Sequence, residues 1–326
     1  METKATMQPY SKQYLHRKIQ VGEYTILFLI AGLFLLLRLT SDTFCTYDNL
    51  YSLTYGVSIQ FFAVIGFTLL IIMGEIDLAV GSMYGLSGTM VGFCMTVWKW
   101  RLLPSAIVVL LACAAFGYLV GFLVTRFKLN SMMVTLGTLS LVSGVNAVIF
   151  NSFTAVTYNA EYRALAKFKI GGVHWTILAM VLIVVGMELL LKKTPAFKKF
   201  YYIGNGQETA RLYGIKSDRY KRIAFMLSAL TAAIGGIIAT SRITHSDVLT
   251  GYGLEFSLIT AVVVAGASLA GGRGSILKAA LGMLFIAMLA NGMTIYRIDP
   301  FIQQVTQGVV LIVAVFLDVR MNNKKA

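Results

Sequence analysis

The chain has 326 residues and a formal net charge of +14, yet only 13% of its residues are charged and 57% are apolar, giving a mean hydropathy of +0.76. A soluble domain carries roughly a quarter charged residues, so a water-soluble enzyme is excluded, and so is a nucleic-acid-binding domain. Ten membrane helices of about 20 residues each use most of the chain and leave too little for a separate soluble domain.

Residues 1–21 carry Lys4, Lys12, Arg17 and Lys18 ahead of the first apolar run. This looks like a signal sequence, but no small-x-small cleavage site follows and many more apolar runs do, so an uncleaved first helix is expected. The apolar runs lie at 24–37, 55–73, 78–97, 102–125, 132–150, 175–191, 223–241, 256–269, 276–295 and 301–317. Only helices or closed barrels satisfy the backbone inside lipid. Barrel strands alternate in polarity, and these runs do not. The expected fold class is therefore all-α: a polytopic integral membrane protein of about ten transmembrane helices with short glycine-rich breaks.

Placing the N-terminus in the cytoplasm and alternating sides puts 20 of the 28 Lys and Arg residues inside. The positive-inside rule selects that orientation, with both termini cytoplasmic, and explains the basic character without nucleic acid. The expected organisation is a cytoplasmic segment at 1–21, one transmembrane domain at 22–318 and a cytoplasmic tail at 319–326. Trp98 to Arg101 and the Tyr201-Tyr202 pair fit interfacial anchors. Arg38 and Glu188 lie near helix ends, where snorkelling accounts for them.

Punctuation supports the helices. Asp299-Pro300 supplies an N-cap and a first-turn proline before the last run, Ser275 caps the run at 276, and Pro104 sits in the first turn of the fourth. Two segments share a pattern: Met73-Gly74 is followed by Gly81-Ser82, and Ala265-Gly266 by Gly274-Ser275, each between apolar runs. Short glycine-interrupted segments at corresponding places in two halves are a mark of duplicated transporter folds.

Gly74 to Ser82 places Glu75 and Asp77 between two apolar runs. Either this is a polar break lining or gating a path, or Asp77 caps the third helix. With Ser82, Asn291, Gln303 and Gln304, these residues are the candidates for a translocation path or gate; the last three serve equally as interhelical hydrogen-bond glue. A proton relay through Glu75 and Asp77 lacks an intramembrane Lys or His.

Residues 192–222 form the strongly basic loop, with nine Lys or Arg against Glu208 and Asp218. Within it, Gly204 to Ile215 predicts a short helix starting at Asn205 or Gly206 and ended by a left-handed Gly214. It offers Ala210, Leu212 and Ile215 beside Glu208 and Arg211, either as a docking element for a partner or as an interfacial helix on anionic lipid. The turn Gly271-Gly272-Arg273-Gly274-Ser275 is a flexible cytoplasmic turn with an anchoring Arg. GxxxxGK[ST] occurs nowhere in the chain, so ATP hydrolysis by that machinery is not expected of it. Cys45, Cys94 and Cys113 show no CxxC spacing and read as inert thiols. His16, His174 and His245 are scattered, and no metal site is expected.

The motifs Gly74 to Ser82, Val134-Thr135-Leu136-Gly137-Thr138, Ile203 to Ile215, Gly266 to Ser275, Asn291-Gly292 and Gln303-Gln304-Val305, in this order and spacing, resemble the bacterial ribose-type permeases of ABC importers, the monosaccharide branch of the branched-chain amino-acid/sugar permease superfamily. The resemblance runs from about residue 20 to 318. It implies a non-catalytic permease subunit in the bacterial inner membrane, paired with a second permease copy. It also implies a cytoplasmic ATP-binding subunit that uses ATP and Mg, and an extracytoplasmic solute-binding protein. No cofactor is implied on this chain itself. Gly204, Gln207, Glu208, Ala210, Arg211, Leu212, Gly214 and Ile215 would belong to the helix that docks on the ATPase. Two departures stand out: Ala79, where the family often has Ser, and Glu75, where Gly is common. The solute is thus open among ribose-like sugars, an autoinducer sugar, nucleosides and branched-chain amino acids. A proton-coupled secondary transporter is the rival from another class.

Overall fold

The computed structural model describes residues 25–152, 160–245 and 247–323. The basic N-terminal segment, His16 and the last three residues of the tail lie outside the described residues. Each apolar run became a helix: α1 (Thr25–Thr40), α2 (Tyr47–Ile72), α3 (Val80–Thr96), α4 (Leu102–Phe127), α5 (Ser131–Asn151), α7 (Trp175–Lys193), α10 (Ser217–Ile243), α11 (Leu254–Val264), α12 (Ile276–Ile295) and α13 (Pro300–Asn323). Three shorter helices, α6 (Ala160–Lys167), α8 (Pro195–Asn205) and α9 (Gln207–Leu212), and a hairpin of β1 (Lys169–Ile170) and β2 (Val173–His174) lie between them. Among the described residues, seven helices are long and apolar enough to cross a membrane: α2, α4, α5, α7, α10, α12 and α13. α1, α3 and α11 are shorter, with 16, 17 and 11 residues.

Local signals set the ends. Asp299 Oδ1 accepts from Phe301 N at 2.8 Å ahead of Pro300, and Ser275 Oγ accepts from Lys278 N at 3.2 Å. Asn130 caps α5 through Met132 N and Met133 N. The two breaks noted in the sequence end their helices in the same way. Glu75 N reaches Leu70 O at 3.0 Å and Gly74 N reaches Ile71 O at 2.9 Å; Ala267 N reaches Val262 O at 3.1 Å and Gly266 N reaches Val263 O at 2.8 Å. Both are Schellman motifs, with the glycine left-handed at φ +76° and +89°.

α2 is buried along almost its whole length from Tyr55 onward. α10 packs against α2, α3 and α4, while α12 packs on α2 and α1, and α13 packs on α11. α1, α4, α5, α7 and α13 expose rows of large apolar side chains, Phe28, Leu111, Met133, Leu182 and Ile312 among them. Exposed apolar surface on this scale needs a bilayer, not water, as its solvent. Contact in the centre is close because small residues line it. A Cβ on Gly236 would fall on Tyr84 O of α3, and one on Gly66 would meet Ser228 Cα of α10 at 2.5 Å.

Gly236→Val should therefore lower stability by about 1–3 kcal/mol or more through overpacking. Gly144→Ala, at a position with nothing within 4 Å, should leave it unchanged. Thermal unfolding of the detergent-solubilised protein measures both; equal midpoints for the two variants would contradict the packing described.

Candidate functional site

Two regions collect the polar chemistry. The first lies at the end of the bundle that carries 192–222, called here the basic end. There α7 stops at Lys193, α8 and α9 follow, and α10 starts at Ser217. α9 begins after Gly206 and ends in a third Schellman turn, with Ile215 N on Ala210 O at 3.0 Å and Gly214 left-handed. The sequence alone does not distinguish α8, headed by Pro195, from loop. The outward face of α9 also differs from expectation. Ala210 is turned inward at 2% exposure and Ile215 is half-buried, whereas Leu212 is 88% and Tyr213 82% exposed. In a helix of this length Ala210 sits one turn after Gly206, on the side that faces α8 and α10. Gln207, Glu208 and Arg211 are exposed beside the two large side chains.

Below α9, three backbone segments meet. Gly272 N donates to Ile72 O at 2.8 Å, joining the glycine-rich turn to the end of α2. A Cβ on Gly271 would lie 2.9 Å from both Gly204 O and Gly74 N. Gly204 leaves no room either, facing Ile72 O and Gly272 N. Tyr201 Oη donates to Gly274 O at 2.9 Å, so Tyr201 is a bracing residue and not only an interfacial anchor. Burial, and then the Glu188 charge, push its phenol up to about 12. Glu188 is not a snorkelling charge: its Oε2 accepts from Ser275 Oγ at 3.0 Å and from Leu277 N at 3.3 Å, at the positive end of α12. Lys192 pairs with its other oxygen at 3.1 Å. Leu269 N donates to Asp318 Oδ2 of α13 at 3.3 Å. Arg273 is exposed on the turn.

Both break carboxylates are buried and engaged. Glu75 pairs with Lys221 of α10. Asp77 Oδ2 accepts from Ser228 Oγ at 2.8 Å, and Oδ1 from Ala79 N at 3.0 Å. Asp77 is therefore an interhelical tie that also holds the turn leading into α3, whose N-cap is Ala79, without a side-chain cap bond. Thr135 and Ser131 of α5 hold the peptide of Ile76 between them. Ser82 Oγ bonds back to Ala79 O at 2.8 Å.

The second region is a cavity of about 680 Å³ in the half of the bundle remote from the basic end. α2, α3, α10, α11, α12 and α13 all contribute to its wall, through residues that include Ser52, Gln60, Tyr84, Arg242, Thr250, Ser257, Asn291, Thr294 and Gln307. Of the six candidate path residues only Asn291 is there, and it exchanges two hydrogen bonds with Asn49 of α2 at 3.0 and 2.9 Å. It is lining and glue at once. Gln303 bonds to Ile298 O at 2.9 Å and Gln304 is exposed on α13, so neither lines the cavity. Glu75, Asp77 and Ser82 lie outside it as well.

Arg242, Gln60, Tyr84 and Gln307 were missed in the sequence. Arg242 had a signal: it is a cation at the end of α10 that the charge rule disfavours. Its guanidinium lies 4.6 Å over the Tyr55 ring, beside Gly56, where a Cβ would meet Nη1 at 3.3 Å. Tyr55 in turn stacks on His174 at 3.9 Å, whose Nδ1 is 2.7 Å from Tyr51 Oη. The lining has no carboxylate; beside the Arg242 guanidinium it offers amides and hydroxyls, both donors and acceptors.

A model of the family described as branched-chain amino acid transport system / permease component matches residues 49–315. The ribose import permease protein RbsC of Escherichia coli (strain K12) is 29% identical over 326 residues, covering 98% of this chain and 99% of that protein. RbsC of Bacillus subtilis (strain 168) is 32% identical over 292 residues, covering 88% and 90%. The L-arabinose transport system permease protein AraH of Escherichia coli (strain K12) is 31% identical over 298 residues, covering 91% and 90%. No solved structure matches the chain.

The aromatic ladder carries a pH signature. Burial, then the charges of Lys169 and Arg242, hold the His174 imidazole below its ordinary value. Unfolding restores that value, so the unfolded chain binds the proton more readily. This contribution is constant above about pH 6.5 and stability falls as pH drops from there towards the lower folded value. His174→Gln should flatten the acid-side fall of the unfolding midpoint between pH 7.5 and 5.5; an unchanged slope would count against the assignment.

Proposed function

Because the chain belongs to the permease-component family of the branched-chain amino acid transport system, we propose that it is the non-catalytic membrane subunit of an ABC importer that carries a monosaccharide inward. It is a multi-pass protein of the bacterial inner membrane. The observation that carries the reading is α9: a short helix with exposed Leu212, Tyr213 and Arg211, rooted in backbone that also holds both glycine breaks. Large exposed apolar and Arg side chains on a braced element are what a docking hot spot needs.

In this reading the basic end faces the cytoplasm, following the Lys and Arg count. All ten apolar helices span the membrane, the short α3 and α11 being lengthened by their breaks. The cavity then opens towards the exterior, where a solute-binding protein delivers its load. A cytoplasmic ATP-binding subunit docks on α9 and spends ATP and Mg, and a second permease copy completes the pathway. ATP-driven closure of the partners moves α9, and the helices switch between two packed arrangements. Monosaccharides are favoured by relatives whose names specify ribose and L-arabinose, and by a lining whose amides and hydroxyls stand beside one cation, Arg242, and no carboxylate. The engaged state of Glu75 and Asp77, away from the cavity, speaks against proton coupling through them.

Two outcomes test this in proteoliposomes holding the permease, its ATP-binding subunit and its binding protein. Arg211→Glu should lower ATP-driven uptake of labelled D-ribose or L-arabinose about tenfold or more while the protein still inserts; normal uptake removes the docking assignment. Gly56→Phe, which intrudes beside Arg242, should lower uptake by a similar factor with the ATP-binding subunit still bound. Undiminished flux would place the solute route elsewhere.

A further inference from the structure

Lys221 lies in the second turn of α10 and touches both halves of the basic-end machinery. Its ammonium pairs with Glu75, in the break before α3, and the two side chains are only 12% and 11% exposed. The same nitrogen donates to Oε1 of Gln207, the first residue of α9, at 2.9 Å. The Arg101–Glu161 pair is exposed, and the Lys192–Glu188 pair is one helical turn long. The Lys221–Glu75 pair is instead long-range and shielded. In such a site the charges attract strongly, and neither tolerates separation from the other.

The geometry also gives the pair somewhere to send a displacement. Glu75 directly follows the left-handed Gly74, where the backbone direction of α2 ends. Beyond it, Asp77 is fastened to Ser228 and to Ala79, the N-cap residue of α3, and α3 carries Tyr84 into the cavity wall. Resting on the reading of α9 as the docking helix, we propose that Lys221 is the positioning residue through which α9 moves the start of α3, with Glu75 as its grip on the break. The chain Gln207, Lys221, Glu75, Asp77, α3, Tyr84 then links the docking surface to the cavity without passing through the glycine junction. A merely structural Lys221 would neutralise Glu75 and hold the fold, but would not carry the nucleotide state to α3.

The test uses the full-length permease with its ATP-binding subunit in nanodiscs. Ser82→Cys places a thiol on α3 at a half-buried hydroxyl whose one hydrogen bond is local. Cys45→Ser removes the accessible native thiol; Cys94 and Cys113 are buried. Maleimide labelling is timed without nucleotide and with trapped ADP–vanadate. In this background the rate should change several-fold between the two states. Lys221→Met and Glu75→Gln should each erase the change while the complex still co-purifies, and the exchange Glu75→Lys with Lys221→Glu should restore most of it. A single variant that keeps the full response in an intact complex overturns the proposal. If the single variants dissociate, the exchange decides: reassembly without a response overturns it too. A parent complex that forms but shows no change at position 82 also overturns it, whereas a parent chain that binds no ATP-binding subunit brings down the docking reading of α9 instead.

Discussion

Peptide groups at membrane depth have no water to bond, and this requirement governs how the chain is interrupted. Both breaks leave helical N–H and C=O groups without partners inside their own helices. The chain settles the debt by bringing the two breaks together at Gly204. Gly272 N closes on Ile72 O at 2.8 Å, and side chains at 204 or 271 would collide with backbone. Tyr201, Glu188 and Asp318 then tie neighbouring helix ends to the same turn. A loop that would otherwise hang free becomes part of the helical framework.

The molecule is consequently graded along its length. Towards the basic end α2 and α10 touch through Gly66 and Ser228, and the carboxylates of the breaks are all engaged. Towards the other end the same helices part around a cavity of about 680 Å³ lined by both polar and apolar side chains. Close packing resists continuous deformation, so a framework of this kind responds to force by shifting between discrete arrangements.

What the sequence made legible was local. Each of the ten continuous apolar runs marked a helix, seven of them, among the described residues, long and apolar enough to cross a membrane. Gly74, Gly266 and Gly214 marked helix ends through left-handed turns, and Asp299, Pro300 and Ser275 marked starts. Contacts between distant segments were not legible. Nothing near Glu188 announces Ser275, and nothing near Glu75 announces Lys221 or names it as the partner. Ala210 looked outward from composition alone, yet α8 covers that side, and α8 itself was hidden among lysines and aromatics that also suit a loop. The cavity was missed because its polar residues come one or two per helix, from six helices. Arg242 was the exception, since its charge sits where topology gives it no reason to be.

The junction at Gly204 has a bearing on how such permeases diverge. A loop whose root is shared with two other segments is not a cassette. Transplanting residues 192–222 from a relative would carry a foreign Gly204 region onto native partners at 72–74 and 270–274, and a mismatch of one methyl group there meets main chain. On the docking reading of α9, partner choice and helix packing are thus inherited together, and a lineage that changes its motor must rework the closely packed glycines along with the visible loop.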